Sequence, residues 1–218
     1  MTILCLSDIH GETAGLRDLL PIASEADLVV IAGDITHLGG YEEARAVLSP
    51  LLDKGLRLVA VGGNMDREDA RRFLAEAGID IHGRGVVIDG IGFMGLGGGT
   101  PSPFGTPWEI GREEAARCLA SALAAVADAP YRVLVSHAPP RGTQLDRSFA
   151  KVHVGSETVR DFLLAGSADL CLCGHIHESW GEDRLAKTVC VNIGPYKNGR
   201  YALVTITDRT ATVTWRTR

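Results

Sequence analysis

Thr2-Ile-Leu-Cys-Leu-Ser-Asp-Ile-His10 decides the fold: an apolar run stops abruptly at an acid and an imidazole two positions apart. The segment from Ile3 to Leu6 is short and β-prone, which predicts a buried strand whose last residues turn Asp8 and His10 out of one edge. A carboxylate beside an imidazole suits a divalent cation. Two ligands cannot fix one, so further ligands are expected at comparable places along the chain.

Working outward, apolar residues at helical spacing predict a helix from Glu12 to Ala26, perturbed at Pro21. Asp27-Leu-Val-Val-Ile-Ala32 reads as a second buried strand, ending in Gly33-Asp34. A helix from Tyr41 to Lys54 follows, stopped by Gly55, with Pro50 an irregularity near its end. Arg57-Leu-Val-Ala-Val61 is a third strand, running into Gly62-Gly-Asn-Met-Asp66 and then a helix closed by Gly78. Continuous apolar strands alternating with helices predict a mostly parallel sheet covered on both faces, with binding residues at the strands' carboxyl ends.

After Gly78 the texture changes. Val86-Val-Ile88 and Gly92-Phe-Met-Gly-Leu96, joined through Asp89-Gly90, predict a hairpin and hence antiparallel pairing. The segment Gly97 to Pro107 holds three prolines and four glycines, so it is a loop; its Phe104 and the adjoining Trp108 suit either a wall for a base or an aromatic leaving group, or an anchor in the core. A helix from Arg112 to Ala127 carries Glu113 and Glu114 in its first turn. Arg132-Val-Leu-Val-Ser136 ends in His137, Leu170-Cys-Leu-Cys173 ends in Gly174-His-Ile-His177, and Thr188 to Arg216 reads as three strands with turns at Lys197-Asn-Gly199 and near Asp208.

Composition bounds the function. The chain of 218 residues is read as one domain spanning 1–218, and its 45% apolar and 22% charged content is that of an ordinary globular protein. A net charge of −5, with no basic stripe, weighs against general nucleic-acid binding. The chain opens directly on a strand, and no apolar run approaches a membrane span, so a cytoplasmic protein with no membrane partner is expected. The five cysteines fall mostly in apolar strand-like runs, which predicts reduced, buried thiols.

Five predicted strands therefore end in metal-capable residues: Asp8 with His10, Asp34, Asn64, His137, and His175 with His177. The order Ser7-Asp-Ile-His10, Gly33-Asp34, Gly63-Asn-Met-Asp66, Ser136-His137, Gly174-His-Ile-His177 resembles the calcineurin-like metallophosphoesterases, in particular the small bacterial and archaeal members without appended domains. The resemblance implies a four-layer α/β/β/α sandwich with a dinuclear metal site at the strand carboxyl ends. It implies that Asp8, His10 and His177 hold one metal, that Asn64, His137 and His175 hold the other, and that Asp34 bridges, with Asp34, Asn64 and His137 also counted as catalytic. Mixed oxygen and imidazole donors suit Mn, Fe, Zn, Co or Ni better than Ca or Mg. A hydroxide bridging the two ions, not a side chain, is the expected nucleophile.

One position departs from the pattern. Where many members of the family have a histidine in Gly-Asn-His-Asp, this chain has Met65, which cannot donate a proton to a leaving alkoxide. The resemblance then leaves Asp66, which would orient that histidine, with no role beyond capping the following helix. His37 is a candidate replacement donor, though it, His82 and His153 each read better as ordinary loop or core histidines. Arg141, in His137-Ala-Pro-Pro-Arg141, is a candidate phosphate contact; with His37 and Asp66 it forms the expected substrate-binding set. The expected function is a metal-dependent phosphohydrolase, phosphodiester hydrolysis foremost, acting on a small phosphate ester such as a nucleotide. The alternatives are a phosphomonoesterase or nucleotide hydrolase, a nuclease, and a catalytically weak scaffold of the kind the family's retromer subunit resembles.

Overall fold

A computed structural model describes residues 1–218. In chain order the elements are β1 (Thr2–Leu6), α1 (Thr13–Asp18), α2 (Leu20–Glu25), β2 (Leu28–Ala32), α3 (Tyr41–Leu52), β3 (Leu58–Val61), α4 (Glu68–Glu76), β4 (Gly85–Ile88) and β5 (Ile91–Leu96). They continue with α5 (Arg112–Ala125), β6 (Tyr131–Ser136), α6 (Glu157–Leu164), β7 (Leu170–Cys173), β8 (Gly181–Leu185), β9 (Thr188–Asn192), β10 (Arg200–Thr207) and β11 (Thr210–Thr217). One sheet has the order β11-β10-β1-β2-β3 and the other β4-β5-β6-β7-β9-β8.

Side-chain alternation explains why these strands are apolar on both faces. Ile3 and Cys5 of β1, with Val30 and Ala32 of β2, enter a core between the sheets against Phe93, Val133, Val135, Leu170 and Leu172. Leu4, Leu6, Val29 and Ile31 face the other way, onto Leu16, Val47, Leu48, Leu51, Phe73 and Leu74 of the helices. The second sheet repeats this device, packing Met94, Leu134, Cys171 and Cys190 against Leu119, Ala122, Val126, Val159 and Leu163. Helices, two sheets and helices form the four-layer α/β/β/α sandwich, with three stacked cores.

The division into a parallel and an antiparallel half needs correction, because each sheet is mixed. β4 and β5 do form the antiparallel hairpin, closed by Asp89 and Gly90 at φ 49° and 81°, the left-handed pair a two-residue type I′ turn requires. However, β5 continues into a parallel run with β6, β7 and β9, while β10 adds antiparallel to β1. The helix expected over 12–26 is two, broken at Leu19, with Pro21 in the first turn of α2 where its missing N–H costs nothing. Pro50 is tolerated inside α3, in its last turn two residues before Leu52. α6 and β8 were not expected: α6 is one short amphipathic segment capped by Ser156, whose hydroxyl accepts from Val159 N–H, and β8 is an edge strand whose alternating exposure is carried by polar residues. No helix is long and apolar enough to cross a membrane.

Because β1, β2 and β3 run parallel, as do β6 and β7, their carboxyl ends lie together at one end of each sheet. Phe93 is fully buried between the sheets, whereas Val87, on edge strand β4, is exposed. In urea denaturation, Phe93→Ala is expected to cost about 3–5 kcal/mol, and Val87→Ala no more than about 0.5 kcal/mol.

Candidate metal centre

Seven side chains converge where the two sheets' carboxyl ends meet. His177 Nε2 lies 3.1 Å from Asp8 Oδ1 and 3.5 Å from His10 Nε2. His10 Nε2 is 3.7 Å from Asp34 Oδ2, and His137 Nε2 is 3.4 Å from Asp34 Oδ1 and 2.9 Å from Asn64 Oδ1. The His175 ring packs beside that of His137 with centroids 4.9 Å apart. Donor atoms of Asp8, His10 and His177, and again of Asp8, Asp34 and His137, all lie within 4.8 Å of one another, close enough for each group to hold an ion.

The backbone is bent to achieve this. Asp8, His10, Asp34 and His175 adopt φ of 52°, 49°, 50° and 69°, a region that L residues with a Cβ seldom occupy. Such strain persists only where surrounding structure over-determines it, and it concentrates at functional sites. The motif glycines permit the crowding: a Cβ on Gly63 would run into Asp34, and one on Gly174 into Ser7 and Asp8.

Hydrogen bonds aim the side chains of this cluster. Asp8 Oδ2 accepts from the Ser7 hydroxyl at 2.7 Å and from His175 N–H at 3.0 Å, which leaves Oδ1 for the imidazoles. Asp34 Oδ1 accepts from Met65 N–H at 2.8 Å, leaving Oδ2 toward His10. His137 Nδ1 lies 2.8 Å from the Ala32 carbonyl. A carbonyl only accepts, so Nδ1 carries a proton, and Nε2 is aimed at two oxygens, those of Asn64 and Asp34.

The electrostatics ask for a cation. Asp8 and Asp34 are buried, and their charged neighbours are imidazoles alone, with no Lys or Arg in an ion pair with either. Burial pushes the Asp34 carboxyl up to about 7 against the opposing pull of His137, and nearby Asp8 adds to the rise. Burial also acts to raise Asp8, but hydrogen bonding to His177 and the charge of His137 hold it below the ordinary carboxylate range. Burial depresses His10 to about 4 and His175 to about 3, so both are neutral donors at pH 7. Two buried acids facing imidazoles, with donor atoms converging, form a donor set that fits divalent ions.

A model of the calcineurin-like phosphoesterases matches residues 1–179. The chain belongs to that family. It is a metallophosphoesterase, a hydrolase of phosphoric esters, in a family that works with two metals. An uncharacterized protein of Methanocaldococcus jannaschii is 34% identical over 203 residues, covering 89% of this chain and 88% of its own. TT1561 of Thermus thermophilus shares the fold, with a TM-score of 0.79, 18% identity and coverage of 98% and 97% of the two chains. A dimetal phosphatase of Danio rerio does so at a TM-score of 0.72 and 15% identity, over 100% of this chain and 96% of its own.

The remaining expected residues part ways. Asp66 neither caps α4, whose N-cap is Arg67 with no side-chain bond, nor reaches substrate, being fully buried. Its oxygens accept from Ile35, Thr36 and Gly63 N–H and from the Thr36 hydroxyl, at 2.8–3.1 Å, clasping the Asp34 loop to the Asn64 loop. His37 sits at the rim, its Nδ1 3.4 Å from His10 Nδ1. Phe104 and Trp108 divide the two roles weighed for them. Phe104 is 86% exposed, while Trp108 is half-buried, stacks under Arg71 at 4.1 Å and donates its N–H to the Asn64 carbonyl.

Asp34→Asn is expected to fold, yet to retain about one divalent ion in place of two after dialysis against manganese, as read by elemental analysis. Asp66→Ala strands four donors in the interior and is expected to lower stability by about 3 kcal/mol or more in urea denaturation.

Proposed function

We propose that the protein is a phosphodiesterase working with two divalent ions, manganese foremost among the candidates. Asp8, His10 and His177 would hold one, Asn64, His137 and His175 the other, with Asp34 between them. Such a pair of ions binds phosphate oxygens, acidifies water and stabilises the entering and leaving oxygens of an in-line displacement.

The observation that carries the diester reading is a cleft of about 920 Å³ that opens beside Asn64 and His175 and extends well past them. A phosphate flanked by hydrogen needs no such room; a phosphate carrying a second substituent does. Phe104 and Phe149, 86% and 87% exposed on two different loops, line this cleft. Large apolar side chains displayed at a site's mouth are suited to a ligand's apolar or aromatic part, a nucleobase included. Arg141 and Arg112 line it too, sharing the single carboxylate of Glu157. The guanidiniums, with Glu157 and Glu178 as the acids of the same lining, offer planar donor forks suited to a phosphate. One protein of similar fold is described as a novel archaeal phosphodiesterase, aligned over 99% of this chain at a TM-score of 0.57 and 14% identity. Four buried, unpaired cysteines, Cys5, Cys171, Cys173 and Cys190, support a reducing, cytoplasmic setting.

The manganese-loaded protein is expected to hydrolyse bis-p-nitrophenyl phosphate faster than p-nitrophenyl phosphate, and faster monoester turnover would defeat the diester reading. Phe104→Ala and Phe149→Ala are each expected to raise KM for the bis ester about 3- to 10-fold with kcat little changed, the loss of one aromatic contact.

A further inference from the structure

The segment linking β6 to α6 carries a histidine that belongs to neither donor group. His153 Nδ1 lies 2.7 Å from Asp146 Oδ1. Asp146 is fully buried and also accepts N–H bonds from Gly142, Thr143 and Gly155, at 3.2, 3.0 and 3.0 Å. Its oxygens are thus satisfied by the backbone alone, and the imidazole is not needed to compensate a buried acid. The carboxylate only accepts, so Nδ1 carries the proton of this pair. Nε2 has no partner within the protein, and the side chain is 34% exposed.

The position is fixed relative to the metal centre. His153 lines the same cleft as Asn64, His175 and Arg141. It pairs with Arg147 in an antiparallel bridge, and Ser156 N–H and Arg141 N–H close a second bridge between this loop and the Pro139–Arg141 segment that leaves His137. Gly155 makes that approach possible, since a Cβ there would stand 2.6 Å from the Pro139 carbonyl and 2.8 Å from Asp146 Cβ. An imidazole oriented through one nitrogen by a carboxylate, with its other nitrogen free in the cleft, is the arrangement general acid–base chemistry uses. The cleft has need of one, because Met65 supplies no proton.

We propose that His153, oriented by Asp146, is the catalytic proton donor to the leaving oxygen. The proposal rests on the phosphodiesterase reading above. A water oxygen forms the new bond to phosphorus as the bond from phosphorus to the leaving ester oxygen breaks. The electron pair of the broken bond stays on that oxygen, which takes the Nε2 proton of His153 in its imidazolium form, leaving the neutral ring with its Nδ1 proton on Asp146. The attacking water releases a proton to solvent and the imidazole regains one from solvent, so diester and water give an alcohol and a phosphomonoester.

The test compares the full-length, metal-loaded protein with His153→Gln on bis-p-nitrophenyl phosphate, whose phenolate leaves unaided, and on diphenyl phosphate, whose phenolate does not. The variant is expected to lose about 10²-fold on diphenyl phosphate and only a few-fold on the bis-p-nitrophenyl ester. In His153→Ala, added imidazole is expected to restore diphenyl phosphate cleavage while leaving the nitrophenyl rate unmoved. Equal losses on both esters, or an unchanged diphenyl phosphate rate, in variants with wild-type metal content and melting temperature would overturn the assignment alone. A wild-type protein that cleaves neither ester would instead overturn the phosphodiesterase reading beneath it.

Discussion

The structure depends on keeping two carboxylates, Asp8 and Asp34, out of water with no basic side chain beside them. Removing an ionised carboxylate from solvent is costly unless it is hydrogen-bonded and paired. Here the hydrogen bonds come from Ser7, His175 and Met65, and the pairing is left to imidazoles and to whatever cations they gather. The local costs follow from this constraint. Four of the candidate ligands sit at positive φ, and the glycines of the motifs are dictated by atoms of Asp8, Asp34 and His137 lying where a Cβ would go. A chain without this site would have no reason to carry either feature at the ends of its most buried strands.

Two sheets are needed to build it. Asp8 and His10 follow β1 and Asp34 follows β2, whereas His137 and His177 follow β6 and β7 of the opposite sheet. The apolar core between the sheets therefore sets the distance between the two halves of the centre. Direct polar links cross the gap at its edge, from His137 Nδ1 to the Ala32 carbonyl and from His175 N–H to Asp8. Rigidity of the ligand set is in this sense inherited from core packing, which tolerates little change of volume.

Legibility in the sequence followed from how local each signal is. β1, β2, β3, β6 and β7 are continuous apolar runs with a polar stop, so both the strands and the residues at their ends could be read from the chain. β8, with Glu182, Asp183 and Arg184 on an exposed edge, has no hydrophobic pattern to read. The mixed character of the sheets was hidden because pairing between β5 and β6, or β1 and β10, is decided by partners distant in sequence. His153 is illegible in the sequence for the same reason. Nothing near it in the chain distinguishes it, and its meaning comes from Asp146 and from the cleft, whose other walls are contributed by residues 99–106 and 175–178.

Asp66 and Met65 show how a family position can change without dismantling the site. Asp66 holds Ile35, Thr36 and Gly63 in place, a task independent of the residue before it. Met65 contributes its N–H, 2.8 Å from Asp34 Oδ1, which any residue but proline supplies. The side chain at position 65 is thus uncoupled from the geometry of Asp34. The metal-facing wall is constrained by strain, burial and glycine contacts; the cleft wall, built from the loops that carry Phe104, Arg141, Phe149 and His153, is constrained by none of these to the same degree. Under the proposed reading, substrate contacts and proton supply therefore fall to the loops of the second sheet, where a substitution disturbs the metal-facing residues least.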